Sequence, residues 1–560
     1  MLRTTAGQYA VNAGLPEELR DHSRVLDKKG IEKLLRKVAE EHPDKYREIV
    51  QHLSKVGYHT AQMTGGNSFG GEHMSLSVAG RKSQLDLKQQ IGQITSDPKL
   101  SDDDKDKKVI DLLIAAGEPL TQAVLKETLS EHNPLGMQVL SGARGNPTNL
   151  RSLRAGDLLY VDHRNRPIPI PILRSYSQGL TPAEYYAGTF GARKGVIDTK
   201  FAVQDAGFAS KQFNQATHRL IVTGLDAEDD GEGTQGAAKS LRGLPVETED
   251  PDNEGALLAI EAGPYKRNTV LTPQILSDLK TKGFDRLVVR SPLVGGHPNG
   301  GVYGRDVGVR ERGGLPPTGD FVGIAAAQAL SEPLTQSMLS SKHSGGVAGA
   351  AKAVGGFELI NNLFQVPRVF KGGASHAQVD GKITGIREAS QGGHYVAING
   401  KDHYVGQGFE VTVKPGEDVE AGDVLSDGIP NPQEIVRHKG LGEGRRYFTK
   451  TFRKAYKDSG IGAHRRNIEL IARGLIDHVE MEEEHGDSVP GDIVPYHAIE
   501  HSWQPRDGHQ IVPVRESKGQ YLEQPVLHYT IGTRMKPSVV KTLTDFGIQN
   551  VAVHKEPPPF

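Results

Sequence analysis

The chain of 560 residues contains no cysteine. That excludes disulfides, thiolate chemistry and cysteine-ligated zinc. Tryptophan occurs once. Long apolar runs are missing: the stretches near 109–116 and 322–330 are too short to span a bilayer. The opening Met-Leu-Arg-Thr-Thr-Ala-Gly-Gln has no apolar core of a signal peptide. An excess of one charge is also absent, since 67 Lys and Arg face 69 Asp and Glu for a net charge of −2. Overall balance does not exclude nucleic acid, because local patches decide that. The lack of cysteine neither proves nor excludes a cytosolic setting, and the missing signal peptide and membrane spans lead us to expect a soluble, intracellular protein. Its length suits about three to five modules.

Two stretches carry most of the information. In 177–213, Thr181-Pro182-Ala183-Glu184 is a helix start. Thr181 can cap free N–H groups, Pro182 fits the first helical position, and Glu184 can close a capping box. No further proline occurs before Pro245. A helix over 181–215 would be about 50 Å long at about 1.5 Å per residue. Gly188, Gly191, Gly195 and Gly207 interrupt it, each costing up to about 1 kcal/mol against alanine. The glycines suit a helix that bends or one that packs closely, and the residues alone leave both open. In 319–346, an alanine-rich helical segment meets Pro333. A serine-rich hinge, His343 and Gly345-Gly346 follow, before a second helix near 350–364. Such a hairpin can fold over a ligand, or be an ordinary helical pair.

Elsewhere, 1–60 reads as mostly helical, with 31–38 and 46–56 amphipathic. Residues 85–129 read as two helices around a charged turn at 101–108. A short strand, a turn at 162–165 and a proline run fill 153–173. The acidic, glycine-rich 226–255 reads as loop. Alternating short runs over 378–428, with turns at Asn399-Gly400 and Pro415-Gly416, predict a small β barrel or sandwich. Its glycine rhythm also suits a lipoyl-type carrier, but no lysine-bearing hairpin tip is present. The segment 437–473 holds eleven Lys or Arg against Glu443, Asp458 and Glu469, with Tyr447, Phe448, Phe452 and Tyr456 interleaved. We expect the aromatics in the core and the cations towards nucleic acid. His497 and His501 lie four apart but lack a third ligand, and read as surface histidines.

At these residues the chain resembles the C-terminal half of the beta' subunit of bacterial-type multi-subunit RNA polymerases. Gly191-Ala192-Arg193-Lys194-Gly195 and Asp198-Thr199 match its bridge helix. Glu332-Pro333, Thr335-Gln336 and 343–346 match its trigger loop. Ser141-Gly142-Ala143-Arg144-Gly145, Tyr303-Gly304-Arg305-Asp306 and the turn 419–428 match three further motifs in the same order. The similarity covers roughly 45–480.

The resemblance implies an α+β multi-module fold. It has a long bridge helix, a trigger-loop helical hairpin, a small β barrel or sandwich-hybrid module and a C-terminal helical clamp-like region. The expected modules are a helical rim (1–150), a connector and bridge helix (151–215) and an acidic loop with a zinc-less former zinc-binding region (216–310). The trigger loop (311–370), β module (371–430), basic clamp-like region (431–500) and a C-terminal tail (501–560) follow. Catalytic roles fall on His343, Gln336 and Arg144. Substrate contacts fall on Leu339, Ser340, Thr199, Val203 and Gln204. Nucleic-acid contacts fall on Arg193, Lys194, Arg445, Arg446, Lys450 and Arg453. Where the family has Met and Arg, this chain has Leu339 and Ser340; Val203-Gln204 replaces a Thr-Ala pair. The family's zinc cysteines, near Asp229-Asp230 and 295–301, are replaced, so no zinc is expected.

The family's magnesium-binding Asn-Ala-Asp-Phe-Asp-Gly-Asp string is nowhere in the sequence. Mg²⁺ is therefore expected to be held mainly by a partner chain, and this chain to be inactive alone. That implies a split beta', as in some phage-encoded enzymes and a few bacterial lineages. The low resemblance outside the motifs, the missing zinc cysteines and the lack of a long trigger-loop insertion favour the phage kind. Its partners would be an N-terminal beta'-type chain, beta-type chains and an alpha-like or sigma-like factor, with template DNA, RNA transcript and nucleoside triphosphates. Alternatives are a non-catalytic structural paralogue and a stand-alone nucleic-acid-binding protein.

Overall fold

In the computed structural model, the described residues are 4–162, 166–197, 200, 203–226, 241–311, 313–340, 357–365, 367, 370, 372–459 and 461–560. The chain forms two units: Met1–Ala202 with Leu339–Ala351, and Val203–Met338 with Lys352–Phe560.

The first unit is mainly helical. Helices Lys28–Glu41 and Tyr46–Thr64 bury Leu34, Val38 and Ile49 with Leu15 and Leu19. Helices Val78–Ser96 and Asp102–Ser130 pack through Leu87, Val109, Leu113 and Val124. The expected turn at 101–108 is corrected. Ser101 is an N-cap that accepts from Asp104 N at 3.2 Å, and the following residues are helical. Three aspartates in the first turn suit the positive end of the helix dipole. Bridges Leu158–Ile172 and Val161–Pro167 confirm an extended pair over the predicted strand and proline run.

Helix Pro182–Ile197 starts at the capping box read from sequence. Thr181 N donates to Glu184 Oε2 at 2.8 Å, and Glu184 N donates to Thr181 Oγ1 at 3.3 Å. Helix Val203–Thr217 belongs to the second unit. Asp198, Thr199, Phe201 and Ala202 lie outside the described residues, as do 341–356 with His343.

The second unit has its largest core around Phe213, Phe364, Phe448, Phe452 and Tyr456. Helix Val322–Ser340 runs through Pro333 instead of stopping there, although proline removes one backbone bond. Phe357–Gln365 is helical, as expected for part of 350–364. The acidic stretch is not all loop. Leu244–Glu247 is a strand antiparallel to Arg286–Val289, because Leu244 and Val246 are buried.

The β module has strand order Lys401–Val405, His394–Ile398, Gly381–Glu388, Asp418–Val419. Ile398 pairs with Lys401 across Asn399-Gly400, whose φ values are 49° and 80°. This is the two-residue turn that an Asn-Gly pair favours. Residues 501–560 are more than a tail. Strands Gln510–Pro513, Asn550–His554 and Tyr521–Leu522 form a sheet, and helix Pro537–Asp545 shares its core.

Candidate nucleotide and nucleic-acid site

Arg144 stands in a loop whose shape two glycines set. Gly142 ends helix Pro134–Ser141 at φ 75°, and Gly145 has φ 71°. Both conformations are strained for other residues. The N–H groups of Ala143 and Arg144 donate to Gln138 O at 3.1 and 3.2 Å. Asn146 then caps helix Pro147–Arg154. The Arg144 side chain is left exposed on a fixed backbone.

Helix Pro182–Ile197 buries Glu184, Ala187 and Gly191. These lie at i, i+3 and i+7, one helical face. The opposite face exposes Tyr185 (69%), Tyr186 (61%) and Val196 (62%), together with Arg193. Tyr186 meets Phe190 edge-on at 5.4 Å. Lys194, half-buried, lies one position beyond Arg193.

In the second unit, Gln336 is exposed and its Nε2 donates to Glu332 Oε1 at 3.2 Å. Gln204 is exposed on its helix. The side chains of Val203, Leu339 and Ser340, and all of Thr199 and His343, lie outside the described residues.

The basic segment needs correction. Arg445 is 2% exposed; it donates to Asp477 Oδ1 at 2.6 Å, Ile476 O at 2.7 Å and Leu293 O at 3.0 Å. It has no face for nucleic acid. Arg446 pairs with Glu443. Arg453 binds Asp250 and Asp252, each at 2.7 Å. Arg465 joins Asp250 and Glu469. Burial alone would raise Asp250, but hydrogen bonds and charge from Arg453 and Arg465 hold it at about 2. Asp477 is likewise opposed by burial and brought to about 2 by His497, Arg473 and Arg445. His497 is not a surface histidine, since its Nδ1 lies 2.7 Å from Asp477 Oδ2. The aromatics are in the core as expected: Phe448, Phe452 and Tyr456 are at most 1% exposed. Lys450 remains exposed. The acids that absorb this positive charge were not legible, since Asp250 and Asp252 lie about 200 residues upstream.

Among the described residues, no three or more His, Asp or Glu side chains gather as a metal would require. No helix among them is long and apolar enough to cross a membrane.

Residues 179–391 match the family described as RNA polymerase Rpb1, domain 5. The chain is 29% identical over 522 residues to DNA-directed RNA polymerase subunit beta' of Desulforamulus reducens, covering 88% of this chain and 43% of that subunit. For the subunit of Syntrophomonas wolfei the identity is 28% over 527 residues, covering 89% and 43%. For that of Natranaerobius thermophilus it is 30% over 412 residues, covering 70% and 33%. The chain is therefore a homologue of a multi-subunit polymerase component. More narrowly, it is homologous to the beta' subunit over most of its own length, and it spans less than half the length of those relatives.

Proposed function

We propose that this chain is a C-terminal beta'-type part of a DNA-dependent RNA polymerase, acting in the cytoplasm. It supplies the bridge helix and trigger loop for nucleotide addition. The observation that carries this is the family match over 179–391, which spans both helical segments. In this proposal Arg144 and Gln336 orient the incoming nucleotide, and His343 stands near its phosphates as donor or general acid. Leu339, Ser340, Thr199, Val203 and Gln204 line the nucleotide. Arg193, Lys194 and Lys450 meet nucleic acid, with Arg446 and Arg453 contributing only through whatever charge their carboxylate partners leave.

The described residues do not fit a magnesium site. Mg²⁺ is assigned to an N-terminal beta'-type chain, assembled with beta-type chains and an alpha-like or sigma-like factor on DNA. The test is reconstitution with those chains. The isolated chain should make no RNA. In the assembly, His343→Ala and Gln336→Ala should slow single-nucleotide addition about tenfold to a few hundredfold, within the usual range for such groups. Incorporation by the pure chain, or wild-type rates in both variants, would refute the assignment.

A further inference from the structure

The Glu184 carboxylate is 6% exposed and accepts four hydrogen bonds. Oε1 takes the N–H groups of Leu173 at 2.9 Å and Arg174 at 3.0 Å. Oε2 takes Thr181 N at 2.8 Å and Thr181 Oγ1 at 2.9 Å. A capping box needs only the Thr181 bonds. The other two tie the helix to the end of the extended segment that bridges Leu158 to Ile172. A second contact lies one turn on, where Ala187 is buried in one cluster with Tyr160 and Ile172. Tyr160 presents its ring 3.6 Å from where a Cβ on Gly188 would stand. Its hydroxyl is pinned between Asp157 at 2.5 Å and Tyr176 at 2.6 Å.

These contacts stop rotation as well as sliding. A helix turns about 100° per residue, so a slip of one residue would carry Tyr185, Tyr186, Phe190 and Arg193 away from the direction they now face. Burial of the carboxylate opposes its ionisation, yet the bonds from Thr181, Arg174 and Leu173 hold its pKa below the usual value. An ionised acceptor therefore sits among four donors. The positive end of the helix favours it there.

We propose that Glu184 is a positioning residue. It sets the rotational phase and height of helix Pro182–Ile197, so that the exposed face carrying Tyr185, Tyr186 and Arg193 meets the nucleic acid in register. The proposal rests on the polymerase assignment above, and goes beyond it by naming a residue that touches neither substrate nor nucleic acid.

The test compares Glu184→Gln, Glu184→Asp and wild type. Glutamine keeps the volume but turns a donor towards backbone N–H groups. Aspartate keeps the charge on a shorter arm. In the full chain, amide exchange over 185–197 should rise about tenfold for Gln, the effect of losing charge-assisted bonds. In the reconstituted polymerase, counted by active sites, kcat for single-nucleotide addition should fall about tenfold to a hundredfold. KM for the nucleotide should stay within about twofold, because no nucleotide contact is removed. Aspartate should recover part of kcat. Unchanged exchange, or a wild-type kcat per active site in Glu184→Gln while Gln336→Ala is slow, overturns the proposal alone. A wild-type assembly that makes no RNA overturns the polymerase assignment with it.

Discussion

Gly207→Ala should stabilise the chain locally. Helix Val203–Thr217 buries Ala206, Ala209, Phe213 and Thr217 on one stripe, and Gly207 lies on the exposed side. A Cβ built at Gly207 meets nothing within 4 Å. Close packing therefore does not explain this glycine. Alanine removes backbone freedom from the unfolded state and gains about 0.8–1 kcal/mol of helix propensity. At room temperature that is about a fourfold to fivefold change in the opening equilibrium. Gly474 is the internal control. It sits in helix Arg465–Leu475, where a Cβ would lie 2.5 Å from Ala216 O, 3.0 Å from Ala216 C and 3.1 Å from Thr217 Cγ2. Two of these atoms are backbone of the same Val203 helix, so Gly474→Ala must push the helices apart, costing about 1–3 kcal/mol. Hydrogen exchange at 209–217 in the full chain reads both. Protection should rise about fourfold in Gly207→Ala and fall at least about fivefold in Gly474→Ala. Lower protection in Gly207→Ala would refute the reasoning. If the glycine serves bending, the stiffer variant should also elongate more slowly in the reconstituted enzyme.

Gly442→Ala should misfold or melt early. Its Cβ would overlap the His528 carbonyl oxygen and lie 2.9 Å from that carbonyl carbon; a wild-type melting temperature would contradict this. Arg445→Ala should destabilise the chain by about 3–5 kcal/mol, because it removes one buried partner of Asp477 and the donor to the Ile476 and Leu293 carbonyls, whereas Lys450→Ala should weaken DNA binding and leave melting unchanged. Equal melting of the two variants would count against the division. Acid should unfold the second unit. Burial alone would raise Asp226, Asp250, Asp477 and Glu443, but their arginine and histidine partners hold each at about 2. Their stabilisation is therefore complete above the ordinary carboxyl range of about 4 and drains away as pH falls from about 4 to 2. Emission from Trp503, buried 5.7 Å from Phe560, reports it; a flat signal down to about pH 2 would sink the idea.

Local chemistry was legible. The capping box at Thr181 and Glu184, the Asn399-Gly400 turn and the burial of Phe448, Phe452 and Tyr456 all follow from neighbours in sequence. What failed was long-range. The run at 437–473 reads as a nucleic-acid patch until Asp250, Asp252 and Asp477 are seen beside it. The acidic stretch reads as loop until Arg286–Val289 supplies a partner strand. Pro333 reads as a stop, yet the helix around it continues because Leu330 and Leu334 are buried in the main core. The second pair of bonds to Glu184 also comes from residues outside its own helix, and no spacing rule announces it.

The ionic contacts of Asp250 and Asp252 with Arg453 and Arg465 join segments on either side of the trigger-loop region. So does the ring cluster in which Phe213 meets Phe364 edge-on at 4.8 Å and Phe452 edge-on at 6.0 Å. A chain severed at Gly345-Gly346 would thus yield two fragments carrying complementary halves of one core. The acids and Phe213 go with the first, the arginines, Phe364 and Phe452 with the second. Co-expressed, such halves have what they need to find each other without a peptide bond between them. The chain offers a natural point for fragment complementation at the loop proposed to close on substrate.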